Sequence, residues 1–161
     1  MRKAVEGNPF HITEKWRNPA IELVNQFFSQ INSYTLDGIF QVKPKAATKM
    51  VDIYLKLSES QKAIFVGWEK EAELKAIILA RIEEKPYLKE ERVLYIDLAI
   101  TKRGARNQGY MSALLEYVEN WTRKKNIYII ELRALIENKP ALQYWRSKGY
   151  KDFYIRFRKN L

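Results

Sequence analysis

The stretch Val93-Leu94-Tyr95-Ile96-Asp97-Leu98-Ala99-Ile100 reads as a strand. It passes through Arg106-Asn107-Gln108-Gly109-Tyr110-Met111 into a helical stripe of Met111, Leu114, Leu115, Val118 and Trp121. A strand joined to a helix by one glycine turn commits the chain to a layered sheet-and-helix fold. The same unit carries chemistry, because a tight turn with Gly109 at its centre lets backbone N–H groups converge. The helix N-terminus behind it adds partial positive charge where a pyrophosphate could rest. The plain alternative is an ordinary strand-to-helix connection with a glycine for steric reasons.

Around this unit the pattern is regular. A short strand is predicted near residues 10–13. Asn18-Pro19 offers a helix cap and first-turn proline, followed by Ile21, Val24, Phe28 and Ile31 at helical spacing. Residues 33–44, with Asp37-Gly38, break the period, and Ala47, Met50, Val51 and Tyr54 line a second helix. Residues 62–69 and 73–82 read as an antiparallel hairpin ended by Lys85-Pro86. Residues 127–134 are apolar apart from Glu131 and Arg133 and read as a central strand. A helix over residues 140–148 and a last strand over 150–158 close the chain. The order is β-α-α-β-β-β-α-β-α-β in a single α+β domain covering residues 1–161, with no repeat or linker to divide it.

Composition removes several function classes. With no cysteine there is no thiol nucleophile or disulfide, and with one histidine, His11, a conventional zinc site lacks ligands, so no metal is expected. A Ser-His-Asp arrangement would depend on His11 alone. The longest apolar runs are too short to span a bilayer, and the first residues have no apolar run of signal-peptide length, so a cytoplasmic protein without a membrane partner is expected. The net charge of +10 favours an anionic partner. Lys102, Arg103 and Arg106 lead into the glycine turn, whereas Arg123-Lys124-Lys125 ends a helix, where the macrodipole suffices as a reason. Nucleic-acid binding would need a matching motif or an aromatic-basic stripe, and neither is present.

One strand downstream lies Asn138-x-x-Ala141-x-x-Tyr144-Trp145-x-x-x-Gly149-Tyr150. By itself it is an amphipathic helix with an asparagine cap and a terminal glycine. Together with the Gly109 turn it resembles the two acetyl-CoA motifs of the GNAT superfamily of N-acetyltransferases, R/Q-x-x-G-x-G/A and N-x-x-A-x-x-x-Y-x-x-x-G-F, in that order. The resemblance covers residues 93–161 well and the N-terminal half in its order of elements. It implies a mixed, mostly antiparallel central sheet flanked by helices on both faces, and transfer of acetyl from acetyl-CoA directly to a primary amine on a small molecule or a peptide N-terminus. The alternative is an acyl-CoA-binding regulatory module of the same fold with weak catalysis.

Carried over by position, the resemblance implies that backbone groups of Leu98, Ala99 and Ile100 bind the pantetheine and thioester oxygen. The N–H groups of Arg106, Asn107, Gln108, Gly109, Tyr110 and Met111 would meet the pyrophosphate, with Ser112 as a further donor. Asn138 would approach the pantetheine arm. Met111 stands where the family has Gly or Ala. Trp145 stands where it has the tyrosine that protonates the thiolate, so Trp145 is assigned to packing against the cofactor and Tyr144 is the remaining acid candidate. Otherwise water serves, since a thiol of pKa about 8.5 leaves readily. Residues 130–133 resemble the strand of ribosomal-protein alanine acetyltransferases in which a Glu activates the amine through water. That makes Glu131 the candidate base, with Asp97 as the alternative and an ion pair with Arg133 or Lys75 as the structural reading. For the acceptor, Tyr34, Phe40 and Tyr87 are expected to line an apolar slot. Asp37 would hold an ammonium unless it is only the turn residue before Gly38. Homodimerisation stays open.

Overall fold

The computed structural model describes residues 3–34 and 41–161. Its elements are β1 (Asn8–His11), a 3-10 turn (Glu14–Trp16), α1 (Arg17–Asn32), α2 (Ala46–Glu59), β2 (Ala63–Lys70), β3 (Glu73–Glu84), β4 (Arg92–Thr101), α3 (Tyr110–Lys124), β5 (Ile130–Leu132) and α4 (Lys139–Ser147). The strands form one sheet in the order β1-β2-β3-β4-β5, antiparallel throughout except for the parallel β4–β5 pair. Helices lie on both faces. Phe65, Ile77, Leu79, Leu98 and Ile100 pack with Leu23, Val24, Val51 and Tyr54 of α1 and α2. Ile64, Ile78, Leu94 and Ile96 pack with Leu114, Leu115 and Val118 of α3 on the other side.

β2 and β3 alternate between these two faces, which is why both strands are buried almost throughout. Their two-residue turn, Glu71-Ala72, takes left-handed φ at both positions, +54° and +59°. This is the geometry that matches strand twist, and the Glu69 carboxylate accepts from the Ala72 N–H at 2.7 Å. α1 begins at Arg17, before the expected Asn18 cap, because the 3-10 turn feeds directly into it. Arg17 then ties α1 to α2 through a two-pronged contact with Asp52 at 2.7 and 3.0 Å.

Two expectations need correction at the C-terminal end. The strand predicted over residues 127–134 pairs only over Ile130–Leu132 and lies at the sheet edge. The strand predicted over 150–158 is absent: residues 151–161 belong to no helix or strand and are exposed. The apolar alternation of Phe153, Ile155 and Phe157 suggested a strand, yet a strand needs a pairing edge, and three residues of β5 offer little. Charged side chains at Lys151, Asp152, Arg156, Arg158 and Lys159 also favour solvation of the segment.

β4 carries the irregularity that shapes the site. Ala80 pairs with Ile96 and Leu79 with Leu98, so Asp97 is an extra residue, a β-bulge. The bulge reverses the faces. Leu94 and Ile96 point toward α3, whereas Leu98 and Ile100 point toward α1 and α2.

Candidate active site

The loop after β4 is wound tightly by left-handed φ at Gly104 (+85°), Asn107 (+62°) and Gly109 (+84°). Gly109 is the cap residue of α3, and no side chain caps that helix. Its carbonyl accepts from the Ala113 N–H at 3.0 Å, so the N–H groups of Tyr110, Met111 and Ser112 are the first-turn donors without an intrahelical acceptor. An uncapped helix start behind a positive-φ glycine fits an anionic phosphate group. Tyr110 is buried, its hydroxyl donating to Gln108 Oε1 at 3.0 Å, and Met111 packs against the α3-side core.

The cations before the turn are partly committed elsewhere. Lys102 and Lys75 both ion-pair with Glu73. Arg106 donates to Gln30 Oε1 of α1 at 2.9 Å, and the Arg103 backbone N–H donates to Gln26 Oε1 at 3.1 Å. The hydrogen bonds from Lys102 and Lys75 hold the Glu73 carboxyl down to about 2, from its ordinary 4.5. A carboxylate with a depressed folded pKa stabilises the fold above its unfolded pKa and loses that contribution as pH falls toward the folded value. The Tm difference between wild type and Glu73→Gln is therefore expected to shrink from pH 4.5 to about 2 in a thermal-melt series. A constant difference would contradict the assignment.

Beyond the loop, the sheet opens. Pairing of β4 with β5 ends at Ile96–Leu132, yet β4 continues to Thr101. Among the described residues, the β5-facing edge of residues 97–100 therefore has no strand partner, which leaves backbone groups of Leu98, Ala99 and Ile100 available to an extended ligand arm. The Leu98 and Ile100 side chains are themselves buried.

α4 lies beside α3. Asn138 caps it, its side chain accepting from the Ala141 N–H at 3.2 Å, and Gly149 follows with φ +89°. Trp145 turns into the α3-side core, its ring centroid 5.2 Å from that of Tyr150. Tyr144 faces α3 instead, and its hydroxyl shares a 3.3 Å hydrogen bond with Ser112 Oγ in the first turn. Burial pushes the Tyr144 phenol pKa up, and the Ser112 bond acts against that shift.

On the α1–α2 face of the sheet, where β4 and β5 part, is a cleft of about 310 Å³. Glu131 lines it from β5, opposite Tyr95 and one residue before the pairing ends. Its partner is Lys85 at 3.4 Å, neither Arg133 nor Lys75. Asp97 lies on the same wall but is more heavily committed, accepting from the buried Tyr54 hydroxyl and from Arg81 Nε at 2.9 Å. Burial and the Asp97 contact drive the Tyr54 pKa strongly upward, so this phenol stays protonated as a donor. Arg133, Tyr154 and Arg156 complete the rim. The sequence reading did not single out Arg81, Lys85, Tyr95 or Tyr154. Arg81 and Glu83, two apart just after the apolar run of residues 76–80, were the available signal.

Of the other expected acceptor residues, Tyr34 is half-buried just after α1 and Tyr87 is 80 % exposed, and neither lines this cleft. Asp37 and Phe40 lie outside the described residues. His11 bonds the Tyr117 hydroxyl at 3.1 Å, away from the cleft. Among the described residues, no helix is long and apolar enough to cross a membrane.

Comparison with known proteins agrees with this geometry. A tetramutant of the BH1408 protein from Bacillus halodurans superposes with TM-score 0.83 at 16% identity, covering 96% of this chain and 99% of that one. A predicted acetyltransferase with acetyl-CoA from Clostridium acetobutylicum gives 0.73 at 17%, covering 95% of each chain. An apo aminoglycoside antibiotic 6'-N-acetyltransferase from Acinetobacter haemolyticus gives 0.70 at 15%, covering 96% and 99%. At such identities these likenesses establish the fold alone. A search of curated proteins found no match. The model of the Acetyltransferase (GNAT) family matches residues 27–150, a span that includes the C-terminal end of α1, the uncapped helix start and the parted strands. The chain belongs to that acetyltransferase family.

Proposed function

We propose that the protein transfers an acetyl group from acetyl-CoA directly to a primary amine. The observation that supports this reading is the succession of three openings along β4 and the loop after it. The uncapped start of α3 meets the unpaired edge of β4, and that edge meets a cleft lined by Glu131. Acetyl-CoA supplies a thioester whose C–S bond breaks as the new C–N bond forms. This chain supplies the rest. N–H groups of Gly109, Tyr110, Met111 and Ser112 hold the diphosphate, and those of Arg106, Asn107 and Gln108 lie along the same turn. Backbone groups of residues 98–100 orient the arm, and Asn138 stands at the head of α4 beside it.

Glu131 takes the amine proton, directly or through a water, and Lys85 holds the carboxylate in place at 3.4 Å. Asp97 serves as a positioning group, because Tyr54 and Arg81 already occupy it. Water protonates the sulfur in this reading, because the Tyr144 hydroxyl bonds Ser112 Oγ at 3.3 Å, at the diphosphate end of the cofactor. Weak catalysis by an acyl-CoA-binding module is the second reading, favoured by Trp145 where the family carries tyrosine and Met111 where it carries Gly or Ala. A thiol-release assay separates them. Amine-dependent release is expected, with kcat of Tyr144→Phe staying within about threefold of wild type. Binding without release on any amine would support the module instead.

A further inference from the structure

We infer, resting on the acetyl-transfer reading, that the acceptor is a zwitterion, a primary amine carrying a carboxylate, of the amino-acid or short-peptide class. The inference comes from the charge balance of the cleft. Each of its three carboxylates, Glu83, Asp97 and Glu131, already pairs with Arg81 or Lys85, at 2.8 to 3.7 Å. Arg133 and Arg156 also line the cleft, and among the described residues they enter no salt bridge.

Four cations therefore face three carboxylates. A polycationic acceptor would meet excess positive charge, whereas a carboxylate would find two guanidiniums, side chains whose planar fork suits a carboxylate. Glu131 lies in β5 and Arg133 two residues on, roughly 6–7 Å apart along an extended chain, so an ammonium beside Glu131 and a carboxylate held by Arg133 and Arg156 would sit side by side in the opening. The volume, about 310 Å³, is at the small end for ligand pockets, which suits a single amino acid better than a multi-ring sugar. Tyr95 and Tyr154 add aromatic walls for the rest of the acceptor. This sets the chain apart from similar folds described as aminoglycoside acetyltransferases, one of them in complex with sisomicin.

The test uses the full chain with acetyl-CoA, a panel of free amino acids, their methyl esters, and sisomicin. Free acids are expected to exceed their esters in kcat/KM by at least about tenfold, the loss expected when a charged contact is removed. The double variant Arg133→Ala/Arg156→Ala should bring the acid-to-ester ratio near one without altering acetyl-CoA affinity. The same panel is titrated into the protein with and without CoA, so the preference is read even if no thiol is released. Absent thiol release or absent CoA binding would overturn the transfer reading alone. Esters or sisomicin binding or reacting as well as the acids, or a ratio that survives in the double variant, would overturn the zwitterion.

Discussion

Gly109→Val is expected to weaken acetyl-CoA binding by at least about tenfold, roughly 1.4 kcal/mol. Two effects add at this position. The backbone sits at φ +84°, where a side chain costs about 1–2 kcal/mol of strain. A Cβ there would also stand 3.0 Å from Val5 Cγ2, so relief of that contact must move the turn that presents the N–H groups. Gly104→Ala is the matched control: φ is +85° and nothing lies within 4 Å of an added Cβ. It carries similar strain without the contact, and its effect on binding is expected to stay within about threefold. Equal losses in the two variants, by titration calorimetry on samples with matched circular dichroism, would mean that general loosening and not the cradle governs affinity.

Glu131→Gln is expected to lower kcat by about a hundredfold or more, in the range for loss of a positioned base, with acetyl-CoA affinity unchanged. The substitution keeps size and removes the charge that Lys85 faces. If Glu131 only anchors Lys85, the variant should melt lower while its turnover per folded molecule stays near wild type. Asp97→Asn offers the contrast. It leaves the Arg81 guanidinium and the Tyr54 hydroxyl with a poorer acceptor, so its loss should fall first on stability.

Much of the scaffold was legible because its periods are clean. The β2–β3 hairpin, β4, α3 and α4 all follow from apolar spacing, and the Gly109 turn follows from one residue between two such patterns. What the pattern hid is the bulge. Leu94, Ile96, Leu98 and Ile100 share one parity and read as one face, but the extra residue at Asp97 sends the first pair to α3 and the second to α1 and α2. Parity also misled at the C-terminus, where Phe153, Ile155 and Phe157 alternate as a strand would without a partner edge to pair with. The cleft itself is non-local: Lys85 and Glu131 are 46 residues apart. No local rule links them, so Arg133 and Lys75 were as reasonable in sequence as the true partner. Tyr144 and Trp145 differ by one helical step, and only packing decides which faces α3.

The central claim is that the start of α3 and the free edge of β4 form one binding track for acetyl-CoA. Isothermal titration of acetyl-CoA into the wild-type protein and Gly109→Val tests it most directly. Micromolar binding by wild type is expected, with CoA close behind and the variant at least about tenfold weaker. No measurable binding by wild type, or equal binding by both proteins, would contradict it.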